Sequence, residues 1–309
     1  MAPRAWFITG VNSGFGREMT EQLLERGDRV AGTVRNLDSV RDLTEKYGDR
    51  FWTARLDVTD TAEIRKVVDA VFSAFGTIDV VVNNAGYGLF GAAEEFTDEQ
   101  VVHEIGTNLL GSIQVVRSAL PHLRAQQQGR IIQVSTFGGQ AALPGGSMYH
   151  ASKWGIEGFS EALMAELAPF NIGVTIIEPG GARTGFRHSS ARLAPALDAY
   201  AGTPAAFVRG VLADQTQLSP GDPAKMATII IGTVDTTPAP KRVVLGSDSY
   251  GIIVNALTQR LADIQPQKDL AASTDFASPN ISPVTGSVTT PSSRLSQRPC
   301  ARTGCPRSG

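Results

Sequence analysis

Apolar residues along this chain come in short unbroken runs, separated by stretches in which they recur every third or fourth position. Runs of about four to eight predict strands covered on both faces, and the wider spacing predicts helices with one apolar side. Strands are expected at 5–9, 29–34, 51–56, 79–82, 130–135, 173–178 and 242–245. Helices are expected near 14–26, 38–47, 61–75, 98–123, 147–168, 222–233 and 248–262. Their regular alternation is the mark of βαβ units. The expected fold class is therefore α/β, a doubly wound parallel sheet of about seven strands with helices on both faces, in one domain. From about Gln265 the pattern stops and Ser, Thr, Pro and Gly replace large apolar residues. That predicts a domain over 1–264 and a disordered tail over 265–309.

Composition narrows the function classes. Hydrophobic residues make up 42% of the 309, enough to bury a sizeable core. A net charge of −2 gives no electrostatic reason to expect nucleic acid or an anionic membrane as partner. No apolar run approaches the roughly 18 residues of a membrane span. The first strand starts within a few residues of Met1, so no signal peptide is expected and a cytoplasmic setting is the default. Cys300 and Cys305, the two cysteines, fall in the tail. Two such ligands do not make a metal site, and none is expected.

Two segments carry candidate chemistry. Tyr149 and Lys153 stand four apart in an expected helix, which stacks both on one face. An ammonium beside a phenol favours the phenolate, lowering its pKa from about 10 toward the working range of an acid–base catalyst. The other segment is Gly10-Val11-Asn12-Ser13-Gly14-Phe15-Gly16, between the first strand and the first helix. Gly10 permits a tight turn, Gly14 lets backbone approach a pyrophosphate, and Gly16 lets helix and strand pack closely. Its spacing is G-x-x-x-G-x-G, not the common G-x-G-x-x-G of dinucleotide sites.

With these residues the chain resembles the short-chain dehydrogenase/reductase family over roughly residues 4 to 260. The family's landmarks follow in order: Thr9 to Gly16, Asp57-Val58, Asn83-Asn84-Ala85-Gly86, Asn108, Tyr149 with Lys153, and Pro179-Gly180 with Thr184. The resemblance implies a Rossmann fold holding NAD(P). Asn12, Ser13 and Phe15 would lie in the phosphate loop, with Asp57 at the adenine amino group and Val58 beside it. Asn84, Ala85 and Gly86 would border the adenosine ribose, and Pro179, Gly180, Ala182 and Thr184 the nicotinamide carboxamide. Tyr149 would exchange a proton with the substrate oxygen, Lys153 would lower its pKa and bind ribose, and Asn108 would hold a relay water. A hydroxyl polarising the substrate carbonyl is also implied. Spacing from Tyr149 favours Thr136 for it, while the family's preference for serine favours Ser135. The nearest branch resembles 17β-hydroxysteroid and retinol dehydrogenases, together with carbonyl reductases.

The second strand ends Val34-Arg35-Asn36 with no carboxylate for the ribose hydroxyls. Arg35 instead puts a guanidinium where a 2′-phosphate would lie, so NADP(H) is expected over NAD. A lid is expected over about 185–220, with Phe186, Leu193, Leu197, Tyr200, Phe207, Val208, Leu212 and Leu218. Tyr87, Leu89, Phe90, Leu143 and Met148 would join them, favouring a bulky, weakly polar ketone or secondary alcohol. The expectation is an NADP(H)-dependent oxidoreductase, the alternatives being a non-catalytic NADPH-sensing regulator and a sugar-nucleotide epimerase or dehydratase. Relatives pair the helices near 98–123 and 147–168 across subunits. A homodimer or homotetramer is thus expected, with Trp154, Phe159 and Leu163 as interface candidates.

Overall fold

The computed structural model describes residues 3–214 and 218–276. Seven strands form one parallel sheet: β1 Ala5–Thr9, β2 Arg29–Val34, β3 Phe51–Arg55, β4 Val80–Asn83, β5 Gly129–Val134, β6 Ile172–Pro179 and β7 Arg242–Leu245. Each lies within two residues of its expected span. Their order across the sheet is β3-β2-β1-β4-β5-β6-β7, every neighbouring pair parallel. The chain steps outward from β1 to β3, then returns to β4 on the other side of β1. That reversal opens a crevice at the carboxyl ends of β1 and β4, where open α/β sheets bind ligands.

Alternate residues of β1 serve opposite sides of the sheet. Trp6 and Ile8 join a core with Met19 and Leu23 of α1 (Gly14–Glu25), Leu43 of α2 (Arg41–Tyr47) and Ile230 of α8 (Pro223–Gly232). Ala5 and Phe7 join a second core with Ile64 and Val68 of α3 (Thr61–Phe75), Val116 of α5 (Ser112–Gln126) and Leu163 of α6 (Ser147–Leu167). Trp6, Phe7 and Ile8 are fully buried. Each such side chain contributes about 1.5–3 kcal/mol, so β1 is the spine on which both layers rest.

The helix expected over 98–123 is three pieces: α4 Asp98–Ile105, a π turn Gly106–Gly111, and α5. Gly111 accounts for one end of the break. A Cβ there would sit 2.6 Å from the Val58 carbonyl, so the wide turn runs where only glycine fits. Sequence pattern also misses a parallel two-strand pair, Gly88–Phe90 with Ala191–Leu193, and a short helix α7, Phe207–Ala213. Three-residue strands are too short to show a period.

Of the interface candidates, Leu163 is buried in the second core and Phe159, partly buried, packs against it. Trp154 is exposed, with the Arg260 guanidinium 4.6 Å above its ring. The helix expected over 248–262 is α9, Ser247–Ile264. Packing separates Met1–Asp263 from a unit beginning at Ile264. That second unit opens with helical turns at Gln265–Gln267 and α10, Lys268–Ala272; residues 277–309 of the expected tail, with both cysteines, lie outside the described residues. No described helix is long and apolar enough to cross a membrane.

Candidate active site

A cavity of about 690 Å³ follows the carboxyl ends of the strands, from the glycine loop to Tyr149 and under the residues after β6. Gly10 (φ +74°) and Gly14 (φ +55°) take backbone conformations that side chains disfavour. Gly16 is constrained by space: a Cβ would lie 2.2 Å from the Gly10 carbonyl oxygen and 2.5 Å from Asn84 Nδ2. The Asn84 side chain clasps this loop, its Nδ2 donating to the carbonyls of Thr9 and Gly10 at 2.9 Å. In return Thr9 Oγ1 accepts the N–H groups of Asn84 and Ala85 at 3.0 Å. The start of α1 is left without a side-chain cap from Ser13 and without an acidic residue in its first turn. Uncapped N–H groups and the helix dipole suit this loop to a pyrophosphate. Gly16→Ala is expected to lower stability by about 1–3 kcal/mol and to weaken dinucleotide binding, measured by thermal denaturation and ligand titration. Unchanged melting and affinity would refute the crowding.

At the far end of β2, Arg35 is exposed along the cavity with Asp57 and Val58. It makes no hydrogen bond or ion pair with another described residue, which leaves the guanidinium available to a phosphate. Burial pushes the Asp57 carboxyl up, but it is outweighed: the Thr59 N–H and hydroxyl, at 2.9 and 2.7 Å, together with Arg35 and His103 hold it below the usual range. Asp60 caps α3, accepting the N–H groups of Ala62 and Glu63.

The opposite end is built on the first half of α6. Lys153 is buried, its Nζ donating to the Val134 carbonyl at 3.2 Å and standing 5.8 Å from the Tyr149 ring centre. Burial pushes Lys153 down to about 8, against the pull of Glu104 and Glu157. The expected lowering of the Tyr149 phenol is not found. Burial and then the nearby Glu104 raise it, and a hydrogen bond with Thr136 works the other way. The ammonium points at a carbonyl and is itself desolvated, so its influence on the phenol is small.

Thr136 and Ser135 both border the cavity, but they face different partners. The Thr136 hydroxyl donates to the Pro179 carbonyl at 3.2 Å and stands beside Tyr149. Ser135 Oγ donates to Glu157 Oε1 at 2.5 Å, behind the cavity wall. Asn108 is buried in the π turn one layer back. Its Oδ1 accepts the Tyr87 N–H at 3.0 Å, and its Nδ2 reaches the Tyr87 carbonyl at 2.7 Å and Glu104 Oε1 at 2.8 Å.

Pro179, Gly180, Ala182 and Thr184 line the cavity, and Thr184 is the neighbour a Gly14 Cβ would meet, at 3.7 Å. Of the lid residues, Phe186, Phe207, Val208, Leu212 and Leu218 line it, whereas Leu193, Leu197 and Tyr200 do not. Phe90 and Phe186 tilt against Tyr149 with ring centres 5.4 and 6.4 Å away.

Several residues of the site carry no sequence signal. Asp248 Oδ2 accepts the Gly181 N–H at 2.7 Å and steadies the turn after β6. Buried Glu95 receives Arg209 at 2.5 Å and the Leu197 N–H at 2.9 Å, fastening the lid to the body. Glu104 is wholly buried beside Asn108. Each reads in the sequence as an ordinary surface charge.

Residues 4–193 match the profile of the short chain dehydrogenase family. Oxidoreductase BOA17 of Botryotinia fuckeliana is 36% identical over 251 residues, 80% of this chain and 90% of that protein. Retinol dehydrogenase 7 of Mus musculus is 39% identical over 180 residues, 58% of this chain and 56% of that protein. A short-chain dehydrogenase from Streptomyces avermitilis has a crystal structure that superposes with a TM-score of 0.82 at 36% identity, covering 89% of this chain and 99% of that one.

Proposed function

Because the chain belongs to the short-chain dehydrogenase family, we infer that it transfers a hydride between NADP(H) and a bulky, weakly polar ketone or secondary alcohol. The observation that carries this reading is the grouping of Tyr149, Thr136 and Lys153 at one end of a cavity whose other end is an uncapped helix N-terminus on a glycine loop. The dinucleotide, when bound, supplies or accepts the hydride. Gly10 to Gly16 would hold its pyrophosphate, Asp57 and Val58 its adenine, and Pro179 to Thr184 its nicotinamide end. Thr136 would polarise the substrate oxygen by hydrogen bonding, and Tyr149 would give it a proton. Lys153 would bind the nicotinamide ribose. Asn108 would act through the backbone of Tyr87 and through Glu104, since it stands behind the cavity wall.

The free guanidinium of Arg35 supports NADP(H) over NAD(H), as does the lack of a carboxylate at the end of β2. Arg35→Ala is expected to lower kcat/KM for NADPH by about 10- to 100-fold, the worth of one charge-assisted phosphate contact. Activity with NADH should change little. Steady-state rates with each dinucleotide check this, and equal losses for both would remove Arg35 from cofactor choice.

The lid lining of Phe186, Phe207, Val208, Leu212 and Leu218 supports an apolar substrate, in keeping with the similarity to retinol dehydrogenase 7. NADPH oxidation with a panel of retinoid, steroid and long-chain ketones tests the whole reading. Tight NADPH binding with no turnover of any carbonyl would favour a nucleotide sensor instead.

A further inference from the structure

We propose that His150 selects the substrate: its Nε2 accepts a hydrogen bond from a hydroxyl on the apolar body of the ketone, so the preferred substrate is a hydroxyketone. The proposal rests on the dehydrogenase reading above and narrows its substrate class. His150 follows Tyr149 on α6, borders the cavity and is 6% exposed. Its Nδ1 lies 3.0 Å from the Gly138 carbonyl oxygen. A carbonyl can only accept, so Nδ1 carries the ring hydrogen. Burial holds the imidazole below the ordinary histidine range, against the pull of that bond, and the ring is neutral at pH 7. Nε2 is then a lone-pair acceptor. It makes no hydrogen bond among the described residues, yet it is not one of the sealed polar atoms of the interior, so it opens on the cavity.

Two glycines set the ring in this pose. A Cβ on Gly138 would lie 2.5 Å from Nδ1, and one on Gly146 would lie 2.7 Å from Nε2. The first glycine lets the ring close on its carbonyl. The second has a φ of −123°, which any residue adopts, so its backbone does not call for glycine. What Gly146 provides is a clear approach to Nε2. The same Gly138 Cβ would stand 3.2 Å from Thr136 Cγ2, which puts the ring next to the residue assigned to the substrate oxygen. On its other side, the ring centres of His150 and Tyr149 are 6.0 Å apart. A ketone whose oxygen meets Tyr149 and Thr136 therefore passes close to Nε2.

The surrounding wall is apolar. Leu143 and Pro144 precede α6, and Val208 of α7 closes on the same loop, its Cγ1 lying 2.6 Å from where a Gly145 Cβ would be. Nε2 is the polar point in that stretch. An acceptor bordering a cavity is satisfied by water until a ligand arrives. A ligand hydroxyl replaces that bond, whereas a methylene or an ether displaces the water and leaves the acceptor bare, at a loss of affinity. A single bare acceptor discriminates more strongly than an added methylene does, so one histidine is enough to choose among ketones of similar shape.

The test uses long-chain ketones bearing a hydroxyl at successive distances from the carbonyl, each paired with its O-methyl ether, which lacks the donor. The readout is the ratio of kcat/KM within each pair, which a general loss of activity does not move. In the unaltered protein the hydroxyketone should be preferred about tenfold or more at the matching distance. His150→Asn keeps an amide donor for the Gly138 carbonyl but has no acceptor at the place of Nε2. Gly146→Ala leaves the ring and sets a methyl group in front of it. Both should bring the ratio close to parity, and His150→Gln, whose amide oxygen reaches the place of Nε2, should restore part of it. No preference in the parent at any distance, a parental ratio in either variant, or equal losses for both members of every pair would overturn the selection alone, with the parent still reducing ketones. A parent that turns over no carbonyl would overturn the dehydrogenase reading, and the selection with it.

Discussion

Tyr149→Phe is expected to lower kcat for carbonyl reduction by on the order of a thousandfold while leaving NADPH affinity unchanged, the loss of a positioned general acid. The change deletes one oxygen, and the ring keeps its contacts with Phe90 and Phe186. Thr136→Ala should follow in the same direction with a smaller loss. Ser135→Ala should act mainly on stability, because the Ser135 hydroxyl is held by Glu157. Burial favours the neutral phenol at Tyr149 and the neutral amine at Lys153, which falls to about 8. Reduction, which needs the protonated phenol, should therefore run level through neutral pH. Alcohol oxidation, which needs the phenolate, should climb as the solution turns alkaline. Initial rates in both directions across pH check the sign. A Phe variant keeping more than about a tenth of parental kcat would remove Tyr149 from proton transfer.

The largest stability effect is expected at Arg242, on β7. Its guanidinium reaches Glu157 at 2.9 Å, Glu178 at 2.8 Å and Glu161 at 2.6 Å. Glu157 and Glu178 are 2% and 1% exposed, with Gln140 as a further donor to both. Arg242→Met keeps most of the stem's packing but strands two buried carboxylates. Removing one partner of a buried pair costs about 3–5 kcal/mol, a fall in Tm on the order of 10 °C. The loss should depend on pH. Burial and then Glu157 raise the Glu178 carboxyl to about 7, with Arg242 opposing. A group raised above its unfolded value of 4.5 adds stability at acid pH that disappears as pH rises through its folded value. Without Arg242 that value rises further, so the variant should be most impaired at alkaline pH and recover in part below about 7. Thermal melts at acid and alkaline pH measure this. Equal losses at both would assign the effect to packing.

The strands were legible because they are buried on both sides, which demands unbroken apolar runs; Phe7, Val81 and Ile131 show it plainly. The glycine loop was legible for a related reason, since its close approaches admit no side chain and leave glycine at fixed spacing. Tyr149 and Lys153 could be paired because a helix converts a spacing of four into one face.

What remained hidden depends on elements meeting across long stretches of chain. Arg242 joins Glu157 across 85 residues, and Glu104 is buried on α4 where that helix packs on α6. A carboxylate in a sequence looks the same whether it faces water or a lysine in the interior. The twofold period of a strand could say that Ser135 and Thr136 face apart, but only the placement of α6 decides that Thr136 meets Tyr149. The direction of the Tyr149 shift changed for the same reason. A four-residue spacing reveals the neighbouring charge, whereas desolvation is set by everything else packed around the pair. Local pattern thus determined the scaffold and the identity of the chemical groups, and tertiary burial decided their protonation and partners.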